Sequence, residues 1–229
     1  MTFSVQAAIF DMDGTLLDSM GFWRTLTSRY LASMGLRLDP VTDRQLYTMT
    51  LEEGAALLRE RYGIEKSPGQ IVRETMAIAD DFYRNEAPLK PGADTLIRGL
   101  KRAGVPVCVA SLSPLNNVRS GFARHGLLEE FAFVLSCYGT DMNKETPQVY
   151  LSACERLDAS PARTLVFEDS PVAAKTAAAA GFPVIGIRDD CFRETEDVLR
   201  QACVAVLDTP GDFLDTPLFR TLAEKGNTT

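Results

Sequence analysis

AAIFDMDGTLLDS, residues 7–19, passes from an apolar run straight into acid. Asp11 and Asp13 stand one residue apart, and two such carboxylates repel unless a cation sits between them or one takes a proton. An ordinary strand end, capped by an Asp and turned by Gly14, accounts for one acid and meets the second only by chance. This stretch alone leaves both readings open, and the rest of the chain has to separate them.

Outward from it, the pattern changes at Asp18. Trp23, Leu26, Tyr30 and Leu31 recur at helical spacing, as do Leu51, Ala55, Leu58 and Tyr62, then Ile71, Thr75, Ile78 and Phe82. No strand-like run interrupts them before PLKPG, residues 88–92, a turn-rich hinge. Beyond the hinge, helical segments alternate with short apolar runs: VPVCVAS, FAFVLS, RTLVFED, FPVIGI and CVAVL. Runs rich in valine and isoleucine, separated by helices, predict a parallel sheet covered on both faces. The fold class expected is therefore α/β, a doubly wound parallel sheet with an inserted all-helical cap. The expected division is an α/β catalytic core, residues 1–16 and 89–229, and a helical cap, residues 17–88.

Composition narrows the function. With 45% hydrophobic and 24% charged residues, 229 residues can bury a good core. A net charge of −7 with no basic run argues against nucleic-acid binding. No apolar run reaches the roughly 18 residues that span a bilayer. No basic stretch or small-residue cleavage site marks a secretory signal. The five cysteines, Cys108, Cys137, Cys154, Cys191 and Cys203, form no C-x-x-C pair and read as buried thiols of a reducing compartment, so a cytoplasmic location is expected. A single histidine, His125, builds no His-rich zinc site and reads as a helix C-terminal residue. Composition fixes no oligomeric state.

Ligands of doubly wound sheets bind beyond the carboxyl ends of the strands. Asp11 follows the first strand, Ser111 ends VPVCVAS, and Glu168 and Asp169 end RTLVFED. Each alone could be a helix N-cap. Acids paired twice over, at DMD and at ED, are tolerable around a divalent cation, and an all-oxygen set without histidine or thiolate points to Mg²⁺.

This convergence resembles the haloacid dehalogenase superfamily, in its phosphatase branch with a helical cap after the first motif. The matching residues are Asp11-Met12-Asp13-Gly14-Thr15, Ser111, Lys144 in NKETPQVY, and Glu168-Asp169 in VFEDSPVAAKTAAAAG. The resemblance implies Asp11 as nucleophile, forming an aspartyl-phosphate, and Asp13 as general acid and then base. It implies Mg²⁺ held by the Asp11 carboxylate, the Asp13 main-chain carbonyl and Asp169, with Glu168 direct or through water. Ser111 and amides near Asp13 and Gly14 would bind phosphoryl oxygens, and Lys144 would neutralise the crowded acids and the transferring group.

The partner so implied is a small phosphorylated metabolite. Dehalogenation is not expected, because a halide leaves without a proton and the dehalogenases lack the second aspartate. A sugar phosphomutase is the main alternative, but SMGFW, TMTLEE and SLSPLNN carry neither the cap histidine nor the basic residue such mutases tend to show. A phospho-accepting receiver module has no purpose for so large a helical insert. Where the family shows G-K-P-x-P-D this chain has Asn143-Lys144-Glu145-Thr146-Pro147-Gln148, which puts a shift of the Lys144 loop in question, and Ala173 replaces a glycine. Met20, Trp23 and Thr48 to Thr50 are the cap candidates for contact with the leaving group, with cap-core packing the rival role for Trp23. Their neutral character suggests a sugar or polyol phosphate.

Overall fold

The computed structural model describes residues 5–46 and 48–226. The first four and last three residues of the expected core, and Tyr47 of the expected cap, lie outside the described residues. By contact the chain falls into two compact units: one runs to Met20 and resumes at Ala87, and the other is Gly21–Glu86.

The first unit is a six-stranded sheet with every pairing parallel. Its strands are β1 (Ala7–Phe10), β2 (Val107–Ser111), β3 (Val134–Ser136), β4 (Thr164–Glu168), β5 (Val184–Ile187) and β6 (Ala205–Leu207), in the order β3-β2-β1-β4-β5-β6. The order reverses at β1, between β1 and β4, which is where a doubly wound sheet opens its ligand crevice. Every residue of β1, β2, β4 and β5 is buried, as strands covered on both faces require. The edge strands β3 and β6 are three residues long and half-buried, which limits the exposed edge.

The helices that cover this sheet are α5 (Ala93–Arg102), α6 (Leu115–Arg124), α7 (Gln148–Arg156), α8 (Pro171–Ala179) and α9 (Glu196–Ala202), with α10 (Pro217–Gly226) closing the chain. Small side chains let α8 close on the sheet: Ala173, Ala174 and Ala177 are buried, and Pro171 in its first turn follows the capping Ser170. The expected strands and intervening helices are all present, whereas the 3₁₀ segment Pro210–Asp215 and α10 were not expected from the sequence. His125 ends α6, as expected, and its ring Nε2 lies 2.8 Å from the Ala87 carbonyl. Cys108, Cys137 and Cys154 are buried, and Cys191 and Cys203 half-buried. Among the described residues no helix is long and apolar enough to cross a membrane.

The second unit is helical. It holds α1 (Met20–Ala32) from Gly21 onward, α2 (Pro40–Leu46), α3 (Leu51–Tyr62) and α4 (Pro68–Asn85) around a core of Tyr30, Leu31, Ala55, Leu58, Ile64 and Ile71. Capping boxes start α3 (Thr50 with Glu53) and α4 (Ser67 with Gln70). The Thr50 side chain is therefore engaged in its own helix. Phe22 stacks on Phe82 with ring centroids 3.9 Å apart, and the Trp23 indole N–H donates to the Tyr83 hydroxyl at 2.7 Å, so Trp23 is tied into its own unit.

Candidate active site

Strand register assembles the site. Phe10 pairs with Phe167 and with Val109, so β1, β2 and β4 end together. Asp11 leaves β1 with its amide donating to the Phe167 carbonyl at 3.0 Å, beside Glu168 at the end of β4 and Ser111 at the end of β2. Lys144 arrives from the loop before α7. In that loop the Asn143 side-chain oxygen accepts the amides of Glu145 and Thr146, both at 3.0 Å, and the Thr146 hydroxyl at 3.1 Å. Asn143 thus builds a local turn of its own where the family pattern has glycine. The Lys144 ammonium, buried, donates to both Asp11 and Glu168.

One carboxylate oxygen from each of Asp11, Glu168 and Asp169 lies within 4.8 Å of the others, and all three residues are buried. The Thr15 hydroxyl donates to Asp169 Oδ1 at 3.1 Å, and the Tyr150 hydroxyl to Glu168 Oε1 at 2.9 Å. Asp169 Oδ2 is buried with no hydrogen-bond partner among the described residues. Gly14 explains itself here: its φ is +82°, and a Cβ would stand 2.1 Å from Asp169 Oδ2. The glycine of DMDGT is what lets the backbone pass that carboxylate.

The Gly14 amide, expected to face a phosphoryl oxygen, donates instead to the Leu17 carbonyl at 2.8 Å. The turn that follows the two aspartates uses that N–H to close itself. Asp13 stands apart from the three clustered acids. Its carboxylate is held from both sides, by Ser19 Oγ and by Ser113 Oγ, each at 2.6 Å. The same Ser113 donates its amide to Ser111 Oγ at 3.0 Å. Ser111 is fully buried, and a hydroxyl that accepts there keeps its proton for another acceptor.

Ser19, Ser113, Thr15 and Tyr150 were not read as site residues. Ser19 and Thr15 lie inside the opening stretch, and Ser113 is two residues past Ser111. Tyr150 carries no local signal, because only the helix packing aims its hydroxyl at Glu168.

The electrostatics are those of crowded, dry charge. Burial first, against the opposing pull of Lys144 and with Glu168 adding to it, pushes Asp11 up to about 6. Burial, then Asp11 and Glu168, hold Asp169 well above the usual carboxylate range. For Lys144 burial works to lower the ammonium's pKa, but Asp11 and then Glu168 outweigh it and raise it well above its ordinary value. Three acids against one ammonium leave two negative charges uncompensated when all are ionised. An orphaned buried oxygen and an all-carboxylate donor set fit a divalent cation, which would supply the missing charge and the missing partner.

Acids, a lysine and hydroxyls thus gather at the switch point of an α/β sheet, an arrangement that fits a divalent metal site. The family follows from comparison: a haloacid dehalogenase-like hydrolase model matches residues 5–181, and the chain belongs to that family. The bifunctional riboflavin kinase/FMN phosphatase of Arabidopsis thaliana is 31% identical over 182 residues, 78% of this chain and 47% of that protein, so the chain spans about half its length. The probable pseudouridine-5′-phosphatase of Drosophila melanogaster is 31% identical over 191 residues, 81% of this chain and 82% of that protein. The crystal structure of CbbY from Rhodobacter sphaeroides in complex with phosphate is 26% identical, with a TM-score of 0.73 over 91% of this chain and 96% of that one.

Proposed function

We propose that the chain is a Mg²⁺-dependent phosphatase that hydrolyses a small phosphomonoester, a sugar or polyol phosphate, through an aspartyl-phosphate on Asp11. The observation that carries this reading is the buried group of Asp11, Glu168 and Asp169 bridged by Lys144, with one Asp169 oxygen left without a partner. The family and the phosphatase names of the matched relatives support the reaction class.

Mg²⁺ held by Asp11, Asp169, Glu168 and the Asp13 carbonyl would neutralise the acids and let an anionic nucleophile approach an anionic phosphate. The chain's own groups do the rest. The Asp11 carboxylate attacks phosphorus, while Ser111 and Lys144 hold phosphoryl oxygens where negative charge develops. Asp13, outside the cluster, gives a proton to the leaving oxygen and later takes one from the attacking water. The Gly21–Glu86 unit is the cap that sets substrate choice, and the remainder is the catalytic core. A phosphomutase would also need a group that steers a second phosphate. The loop past Ser111 offers the exposed Leu112, then Ser113 and Pro114, and no cation.

The test is turnover of p-nitrophenyl phosphate. Many turnovers with Mg²⁺ are expected, none after exhaustive chelation, and a fall of roughly three orders of magnitude or more for Asp11→Asn. Undiminished activity of Asp11→Asn would overturn the covalent mechanism.

A further inference from the structure

Glu168 differs from the other two clustered acids in how it is held. Its Oε1 accepts two donors: the Lys144 ammonium, which is shared with Asp11, and the Tyr150 hydroxyl at 2.9 Å. Among the described residues its Oε2 has only the Ser170 amide, at a long 3.4 Å. Tyr150 sits on α7, is 1% exposed, and packs its ring against Phe182 with centroids 6.1 Å apart. An ionised carboxylate only accepts, so the phenol must donate, and a rigid two-torsion side chain fixes the direction from which it does so.

We propose that Tyr150 is a positioning residue of the cation site, whose hydroxyl anchors Glu168 Oε1 and so leaves Oε2 as the oxygen with lone pairs to spare. Without the phenol, Glu168 Oε1 would depend on Lys144 alone. The lysine would then be drawn from Asp11 toward Glu168, and the Glu168 carboxylate would be free to rotate. Partners that orient a metal's ligands in this way typically affect metal affinity or activity by 10–100-fold. The proposal rests on the cation-site reading given above, and its test is built to separate the two.

Tyr150→Phe removes one oxygen and keeps the ring against Phe182. Mn²⁺ alone is titrated into metal-free protein by calorimetry, with circular dichroism and the apo unfolding midpoint as checks on folding. Tyr150→Phe is expected to weaken Mn²⁺ binding about tenfold or more. In a Glu168→Gln background the same change is expected to have no further effect, because the hydroxyl acts through Glu168. Equal Mn²⁺ affinity of wild type and Tyr150→Phe overturns the positioning role while leaving the cation site standing. Equal weakening in both backgrounds overturns it too, since the phenol would then act by packing. No Mn²⁺ binding by the wild type overturns the cation site itself.

Discussion

Asp11 and Asp13 are near neighbours in the chain and opposites in surroundings. Asp11 lies among acids under Lys144, pushed up to about 6 chiefly by burial, whereas Asp13 is gripped by two serine hydroxyls at 2.6 Å outside that cluster. Environments that differ this much assign different tasks to one residue type. The difference is measurable through the leaving group. An alkoxide needs a proton in order to leave and a p-nitrophenolate does not, so Asp13→Ala is expected to slow aspartyl-phosphate formation far more on an alkyl phosphate than on p-nitrophenyl phosphate. The differential should fall within the general-acid range of about 10²–10⁴-fold. Rapid-quench single turnovers on the two esters read that first step directly, before the hydrolysis of the intermediate can blur it. Equal slowing on both esters would leave Asp13 as a shaper of the site and no acid.

At the scale of elements, much of this arrangement is legible in the sequence and part is not. DMDGT, the Ser111 strand end and the ED pair announce themselves, because residues that end buried parallel strands arrive at one edge of the sheet. Lys144 was found through resemblance, since its loop offers no periodicity. The Ser19 and Ser113 grip on Asp13 and the Tyr150 bond to Glu168 were out of reach, because they depend on side-chain directions that no spacing encodes. The C-terminal segment escaped for another reason. Its 3₁₀ turn, Pro210–Asp215, opens on a local capping box of Thr209 with Asp212 and also rests on tertiary contact, where Gly211 crosses Gly92. Gly92 starts α5 at a φ of +75°, and a Cβ there would stand 2.4 Å from the Gly211 Cα. Gly92→Ala meets both a left-handed backbone and a backbone collision. It is expected to cost more than about 1 kcal/mol of stability, read as a lowered midpoint in urea at an unchanged slope.

For the whole molecule, a cation held by the uncompensated acids would make stability depend on its concentration. A ligand that binds only the folded chain stabilises it by mass action, so Mg²⁺ at a hundred times its dissociation constant should add about 2.7 kcal/mol. Calorimetric scans with Mg²⁺ and with a chelator check this, and Asp169→Asn should remove most of the difference. The same wiring has a consequence for how the chain is made. Thr15 and Asp169 bond to each other across 154 positions, and β1, made before the other five strands, lies between β2 and β4 in the finished sheet. At roughly 5–20 residues per second, a ribosome leaves β1 without its β4 neighbour for roughly 8–30 s. Gly21–Glu86 is a continuous stretch whose core draws on its own residues, so it can collapse on the ribosome while that strand waits. Nascent chains stalled ahead of Thr164 should therefore expose AAIF to chaperones, and release past β4 should end that exposure.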